Sequence, residues 1–118
     1  MRVLVCGGRD FTDYNLLTST LNQLEGITHL IHGEAKGADT LARLWAKDKE
    51  IVILGYPANW HRDGEAARPI RNQRMLNQGE PDLVIAFPGG KGTADMVRRA
   101  KLAGIRTIEI NETSKLTR

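Results

Sequence analysis

Long apolar runs and cysteine are scarce in this 118-residue sequence. A membrane-spanning helix needs roughly 20 consecutive apolar residues, and no stretch approaches that length, so no membrane association is predicted. The single cysteine, Cys6, cannot form an internal disulfide and is predicted to be a small core residue in a reducing compartment. A strand-like run begins at Arg2 and leaves no room for a secretion signal. We therefore expect a cytoplasmic protein.

Aromatic residues make up only 5% of the chain, and the formal net charge is only +3. Nucleic-acid-binding domains usually combine strong basic patches with stacking side chains, so nucleic acid is disfavoured as a partner. A small anionic molecule fits the slight positive excess equally well. His29 and His32 have no second cluster at metal-ligand spacing, and no nucleophile elbow is present. Neither a metal site nor a cofactor is predicted.

Five short apolar runs alternate with segments of helical periodicity. The runs cover about residues 2–6, 28–32, 51–55, 82–87 and 105–110. The run at 83–87 is apolar on both alternating faces, which is typical of a parallel strand covered by helices on both sides. The sequence predicts one α/β domain with a Rossmann-like, doubly wound, three-layer α/β/α fold and a mostly parallel five-stranded sheet. We expect an ordered core at about 1–111 and a short polar C-terminal tail.

Glycine-rich turns follow three of the predicted strands, at residues 7–10, 33–39 and 88–93. Because the carboxyl ends of parallel strands meet at one edge of a sheet, these turns should lie side by side. Glycine lets the backbone approach an anion, and a helix that begins directly afterwards directs its N–H groups at the same place. The third turn, with Thr93 at a helix start, therefore predicts a phosphate site, although it matches neither the dinucleotide fingerprint nor the P-loop.

The long polar connection at residues 56–66 and the segment after it supply further candidates. Long loops in compact domains are usually functional or disordered. Trp60 either covers a base by stacking or is a buried loop anchor. Arg71 should lie in the first turns of a helix that starts near Pro69, with Arg74 on nearly the same face. Two guanidinium groups there suit phosphate, and a solvated basic face is the alternative.

The motifs themselves resemble a known superfamily. Residues 88–93 and 71–75 are similar to the P-G-G-x-G-T and R-K-x-x-M motifs of the Lonely Guy phosphoribohydrolases. Segments at 8–11, 32–39, 56–60 and 70–72 resemble the YspA/cpYpsA-related branch of the SLOG superfamily, so that the similarity covers about residues 2–110. The resemblance implies a Rossmann-like sheet that binds a nucleotide or nucleotide-derived ligand. It also implies a homodimer or higher homo-oligomer, for which the exposed stripe of a helix at 93–103 could serve as the interface.

The same resemblance implies that the glycines of the third turn and Thr93 hold a phosphate while Arg71 contacts the ligand. Those enzymes end the motif with a catalytic glutamate, whereas this chain has Met96 there and Asp95 one place earlier. A thioether can neither stabilise an oxocarbenium ion nor orient water. Asp95 could substitute only if its shorter arm, rotated about 100° around the helix, reached the sugar. Asp95 and Arg71 are thus the candidate catalytic residues, and an exposed first-turn acid is the alternative for Asp95.

The leading hypothesis is the binding, sensing or sequestering of a nucleotide or nucleotide-derived small molecule. The alternatives are a nucleoside 5′-monophosphate N-glycosidase and, as in the related DNA-processing protein, single-stranded DNA binding. Asp39 either caps its helix or accepts from ribose hydroxyls, and Arg9 and Asp10 either pair with each other or contact the ligand. The candidate binding residues are Gly8, Arg9, Asp10, Gly33, Glu34, Gly37, Ala38, Asp39, Trp60, Asn72, Gly89, Gly90, Lys91, Gly92 and Thr93.

Overall fold

The computed structural model describes residues 1–111, which form one twisted parallel sheet with helices on both faces. The strands are β1 (Arg2–Cys6), β2 (His29–His32), β3 (Val52–Gly55), β4 (Leu83–Ala86) and β5 (Arg106–Glu109). The helices are α1 (Tyr14–Asn22), α2 (Ala38–Asp48), α3 (Trp60–Asp63), α4 (Ala67–Gly79) and α5 (Lys91–Leu102). The Rossmann-like α/β prediction is confirmed, and every strand pair is parallel. The polar tail predicted beyond residue 111 lies outside the described residues.

The strand order is β3-β2-β1-β4-β5, so the chain first moves outward from β1 and then crosses back to β4. The direction of winding therefore reverses between β1 and β4, which are direct neighbours from Val3↔Leu83 to Cys6↔Ala86. Open α/β sheets bind their ligands in the crevice at the carboxyl ends of the strands where this reversal occurs. The turns after β2, β1 and β4 consequently lie next to one another at that edge.

Apolar side chains alternate between two cores, one on each face of the sheet. Helices α1 and α2 cover one face, where Leu17, Leu21 and Trp45 pack on Val3 and Ile85. Helices α4 and α5 cover the other face in the same way. Their core consists of Leu4, Cys6, Ile31, Met75, Leu76, Val84, Ala86, Met96, Val97 and Ala100. Each fully buried large aliphatic side chain contributes about 1.5–3 kcal/mol, so the two cores together fix the geometry of the turn edge.

The segment at 56–66, predicted as a loop, is partly helical. Asn59 caps α3 by accepting the Arg62 N–H at 3.0 Å, and Gly64 ends that helix with a φ of +55°. A 3-10 turn at Gly64–Ala66 then leads into α4, which begins at Ala67 rather than at Pro69. Proline is tolerated there because the N–H groups of a first helical turn have no partner within the helix.

Among residues 1–111, none of the helices has the length and the apolar composition that a bilayer crossing requires.

Candidate functional site

The three glycine turns are joined at Gly8. Its N–H donates to the Pro88 carbonyl oxygen at 2.8 Å, and its own carbonyl accepts the Ala38 N–H at 3.2 Å. A Cβ on Gly89 would overlap Thr93 Oγ1 and lie 2.6 Å from the Gly8 nitrogen, so only glycine permits this approach of the two turns. Gly37 has a φ of +79°, a conformation that favours glycine. The turns after β1, β2 and β4 therefore form one continuous wall.

A cavity of about 860 Å³ lies against this wall. Fourteen of the candidate residues line it, whereas Gly37, Ala38 and Asp95 do not. The predicted lining residues are Gly8, Arg9, Asp10, Gly33, Glu34, Asp39, Trp60, Arg71, Asn72, Gly89, Gly90, Lys91, Gly92 and Thr93. Arg9 and Asp10 are both exposed and form no ion pair with each other in the described part of the chain. The structure thus brings together residues from five separate segments of the sequence.

Helix α5 directs its N-terminus at the cavity. Its N-cap residue, Gly90, provides no side-chain hydrogen bond, and its first turn contains no acidic residue. The first turn instead begins with Lys91, and Gly90, Lys91, Gly92 and Thr93 all line the cavity. The first N–H groups of a helix have no partner inside the helix and carry its positive dipole end. This end of α5 is therefore suited to an anion.

Arg71 is the most deeply buried cation of the cavity, with only 7% of its surface exposed. Its guanidinium donates to the Gly33 carbonyl, to Asn72 Oδ1 at 3.0 Å and to the Tyr56 carbonyl at 3.4 Å. Within residues 1–111 no carboxylate lies within 4 Å of it. Burial lowers the pKa of Arg71, because the charged form is desolvated. The solvated basic face considered for this residue is therefore wrong.

Asp39 organises the loop before α2 rather than capping that helix, whose N-cap is Gly37. Its Oδ2 accepts the Gly33 N–H at 2.7 Å and the Ala35 N–H at 3.3 Å. Burial raises the pKa of Asp39, although both hydrogen bonds act in the opposite direction. The helix-cap interpretation is thus wrong, and the carboxylate instead shapes the backbone that borders the cavity.

Asp95 lies outside the lining of the cavity and has three donors. They are Asn72 Nδ2 at 3.0 Å, Arg98 at 2.6 Å and Arg99 at 2.8 Å. Partial burial acts to raise the pKa of Asp95, but the hydrogen bonds and positive charges around it outweigh this and lower it. Met96 is 1% exposed and packs in the core between the sheet and α5. Asp95 therefore connects α4 to α5, and its neighbour Met96 is a core residue.

Trp60 is 54% exposed, so the buried loop anchor considered for it is wrong. The Arg68 guanidinium carbon lies 5.5 Å from the centre of its ring, a cation–π distance. Sequence reasoning missed Arg68 as a lining residue, although it precedes Arg71 by three positions and so shares its helix face. Arg74, the partner expected from the same spacing, instead donates to the Pro57 carbonyl at 2.8 Å.

The other lining residues were not named individually as candidates, although most of them lie in the turns and motif segments that the sequence singled out. They are Cys6, Gly7, Phe11, Ala35, Lys36, Pro57, Ala58, Met75 and Pro88. Burial raises the pKa of the Cys6 thiol, which favours its neutral form. In the described residues, no three His, Cys, Asp or Glu side chains are grouped so as to hold a metal ion.

Two comparisons relate this chain to known proteins. Residues 1–62 match the YAcAr family, described as the YspA, cpYpsA-related SLOG family. The chain is also 31% identical over 122 residues to the Gene 61 protein of Mycobacterium phage D29. That alignment covers 94% of this chain and 97% of the phage protein.

Proposed function

The chain belongs to the YspA, cpYpsA-related SLOG family, and from this premise we propose that it binds a nucleotide or nucleotide-derived small molecule through a phosphate group. Membership in this family points to a nucleotide-related ligand. The observation that carries the proposal is Arg71, a buried guanidinium that faces the cavity without a carboxylate in ion-pair distance among residues 1–111.

The charge balance around Arg71 supports an anionic ligand. Burying a cation is costly unless an opposite charge or sufficient hydrogen bonds compensate for lost hydration. Lys91 and the positive end of α5 border the same cavity, and after burial the nearby charge of Asp39 raises the pKa of Arg71 while that of Arg68 lowers it. A phosphate at the 89–93 turn would be attracted by all of these positive charges and would compensate for the lost hydration of Arg71.

The part of the wall that follows β2 suits the sugar of such a ligand. Glu34 and Asp39 border the cavity from the β2–α2 loop, and a carboxylate is the usual partner of a ribose diol. The Asn72 side chain forms hydrogen bonds with Arg71, Gly92 and Asp95. It therefore holds Arg71 in place relative to the turn at 89–93, which we call the phosphate turn. These features fit a protein that senses or sequesters a nucleotide signal.

The proposal is tested by thermal unfolding and calorimetric titration with AMP, GMP, CMP and UMP. We expect at least one nucleotide to raise the melting temperature, since a ligand at 100 times its Kd stabilises the native state by about 2.7 kcal/mol. Arg71→Gln should weaken binding by at least about tenfold because a charge-assisted hydrogen bond is lost. Arg106→Gln, at an exposed arginine on β5, is the matched control. Equal stabilisation by adenosine, which lacks phosphate, would contradict the proposal.

The surroundings of Asp95 and the side chain at position 96 favour binding of the nucleotide without hydrolysis. Asp95 is fully occupied by Asn72, Arg98 and Arg99, and Met96 has no catalytic group. We expect no ribose 5-phosphate after incubation with AMP, measured by chromatography. Asp95→Asn should cost about 1–2 kcal/mol of stability, because a charged hydrogen-bond acceptor is removed. Release of free adenine that disappears in Asp95→Asn would establish the glycosidase alternative.

The remaining expectations are tested separately. Single-stranded DNA binding would give an affinity that rises with oligonucleotide length and falls steeply with salt, whereas a mononucleotide site gives neither. A homodimer or higher homo-oligomer and a cytoplasmic setting stay predictions. Size-exclusion chromatography with light scattering measures the first of them.

A further inference from the structure

A second cavity, of about 630 Å³, adjoins the phosphate turn. It shares four lining residues with the main cavity, namely Trp60, Arg68, Lys91 and Gly92. Its other lining residues are Glu65, Pro69, Ala94, Asp95 and Arg98. A ligand bound at the start of α5 would therefore have this cavity directly beside it.

The second cavity differs chemically from the main one. The Trp60 indole, Pro69 and Ala94 present hydrocarbon surface to it. The charge of Asp95 is balanced by Arg98 at 2.6 Å and by Arg99 at 2.8 Å. Such a lining favours a flat group with apolar faces over a second phosphate, while the charged groups can bond to polar atoms at its edge.

Arg68 connects the two cavities. Its Cδ lies 2.6 Å from the position that a Cβ on Gly92 would take, so its side chain crosses the first turn of α5. Its guanidinium, a planar group, lies over the Trp60 ring at 5.5 Å. Among residues 1–111, Arg68 has no carboxylate within ion-pair distance. The shared wall therefore combines a cation that has no ion-pair partner in this part of the chain with the half-exposed aromatic ring beneath it.

We propose that the second cavity is the subsite for the aromatic ring of a phosphorylated ligand, with Trp60 as the stacking surface and Arg68 at the junction between ring and phosphate. This inference rests on the proposed function, because it requires the phosphate to occupy the 89–93 turn. The ligand class is a phosphate ester that carries a planar aromatic ring, such as a nucleobase, a few bonds away. Trp60 and Ala94 then determine specificity for the ring.

The test compares AMP with ribose 5-phosphate, which keeps the sugar and phosphate but lacks the ring. We expect Trp60→Ala to weaken AMP binding about tenfold and to leave ribose 5-phosphate binding unchanged, since one lost base–aromatic stack has about that effect. Trp60→Phe should recover most of the AMP affinity. The half-exposed position of Trp60 makes both variants compatible with folding, which circular dichroism verifies.

Three results would separate the two proposals. Unchanged AMP affinity in Trp60→Ala overturns the ring subsite and leaves the phosphate site intact. Equal weakening of both probes also overturns it, because Trp60 would then act on the phosphate site alone. If the wild-type protein binds neither ribose 5-phosphate nor any of AMP, GMP, CMP and UMP, the proposed function itself fails.

A second variant tests the cavity independently of Trp60. Ala94→Leu places a branched side chain in the second cavity, at an exposed helix position where leucine is well tolerated. It should weaken AMP binding about tenfold, as the loss of one stacked ring would, without changing that of ribose 5-phosphate. Ala103→Leu, at the exposed end of α5, is the matched control and should change neither. Full AMP affinity in Ala94→Leu would overturn the inference.

Discussion

Helices α1 and α5 both follow strands at the carboxyl edge of the sheet, yet their N-termini are built differently. Asp13 closes α1 by accepting the Leu16 N–H at 3.0 Å. At α5 the N-cap is Gly90, which has no side chain to accept a hydrogen bond. Asparagine, aspartate, serine and threonine are the favoured caps, and glycine is nearly as good only because of its backbone freedom.

The comparison shows at which helix N-terminus the backbone N–H groups have no side-chain acceptor. The capped end of α1 lies in the part of the edge that contributes Phe11 to the core. The uncapped end of α5 borders the cavity, with Lys91 and Thr93 beside it. Under the proposed function, α1 is capped by its own carboxylate while the N-terminus of α5 receives an external anion, and the same electrostatic rule governs both ends.

The largest effect should come from the glycine that brings the α5 turn against the β1 turn. Gly89→Ala forces a Cβ onto Thr93 Oγ1 and the Gly8 nitrogen, so we expect a loss of about 1–3 kcal/mol of stability. AMP binding should fall with it, because the turn must move. Gly90→Ala is the matched control, since no atom lies within 4 Å of its added Cβ. Urea unfolding of both variants measures this, and equal stabilities would contradict the close approach.

A carboxylate at position 90 should make α5 resemble α1. Gly90→Asp places a cap on α5, which we expect to stabilise the protein by about 0.5–1 kcal/mol. It should also reduce AMP affinity by at least about tenfold, because the carboxylate occupies the position of the phosphate and repels it. Gly90→Ser, a neutral cap, should stabilise with a smaller loss of affinity. Unimpaired AMP binding by Gly90→Asp in calorimetric titration would show that the phosphate binds elsewhere.

Removing the cap of α1 should have the smallest effect and should be confined to stability. Asp13→Ala leaves the Leu16 N–H without its side-chain acceptor, at a cost of about 1 kcal/mol. Thermal unfolding measures the loss, and nucleotide titration should give an unchanged Kd. A weaker Kd in Asp13→Ala would mean that the two helix ends are not independent.

Local sequence patterns predicted the fold and the edge of the sheet at which the glycine turns meet. Strand β4 is buried at all four positions, as its two apolar faces indicated. The glycine turns at 7–10, 33–39 and 88–93 could be placed side by side because parallel strands end at one edge. These features depend on residues close together in sequence, or on a general rule of topology.

The features that the sequence did not predict depend on contacts between residues that lie far apart in the chain. Arg71 is fixed by the Gly33 carbonyl, 38 residues away, so its burial has no local signal. The role of Asp95 depends on Asn72, 23 residues away, and Arg68 is identified only by the position of Gly92 and Trp60. Arg68 and Arg74 both lie three positions from Arg71. Spacing alone therefore could not tell which of the two lines the cavity.

The hydrogen bond from the Gly8 N–H to the Pro88 carbonyl also has a consequence for synthesis and folding. Its partners are separated by most of the chain, and the first 62 residues, which carry the family match, contain neither Arg71 nor the α5 turn. The chain loses the entropy of closing so long a loop before the contact can stabilise the fold. If the proposed function holds, a nascent chain acquires its ligand affinity only after β4 and α5 have emerged, so that the ligand stabilises the finished domain but cannot template its first half.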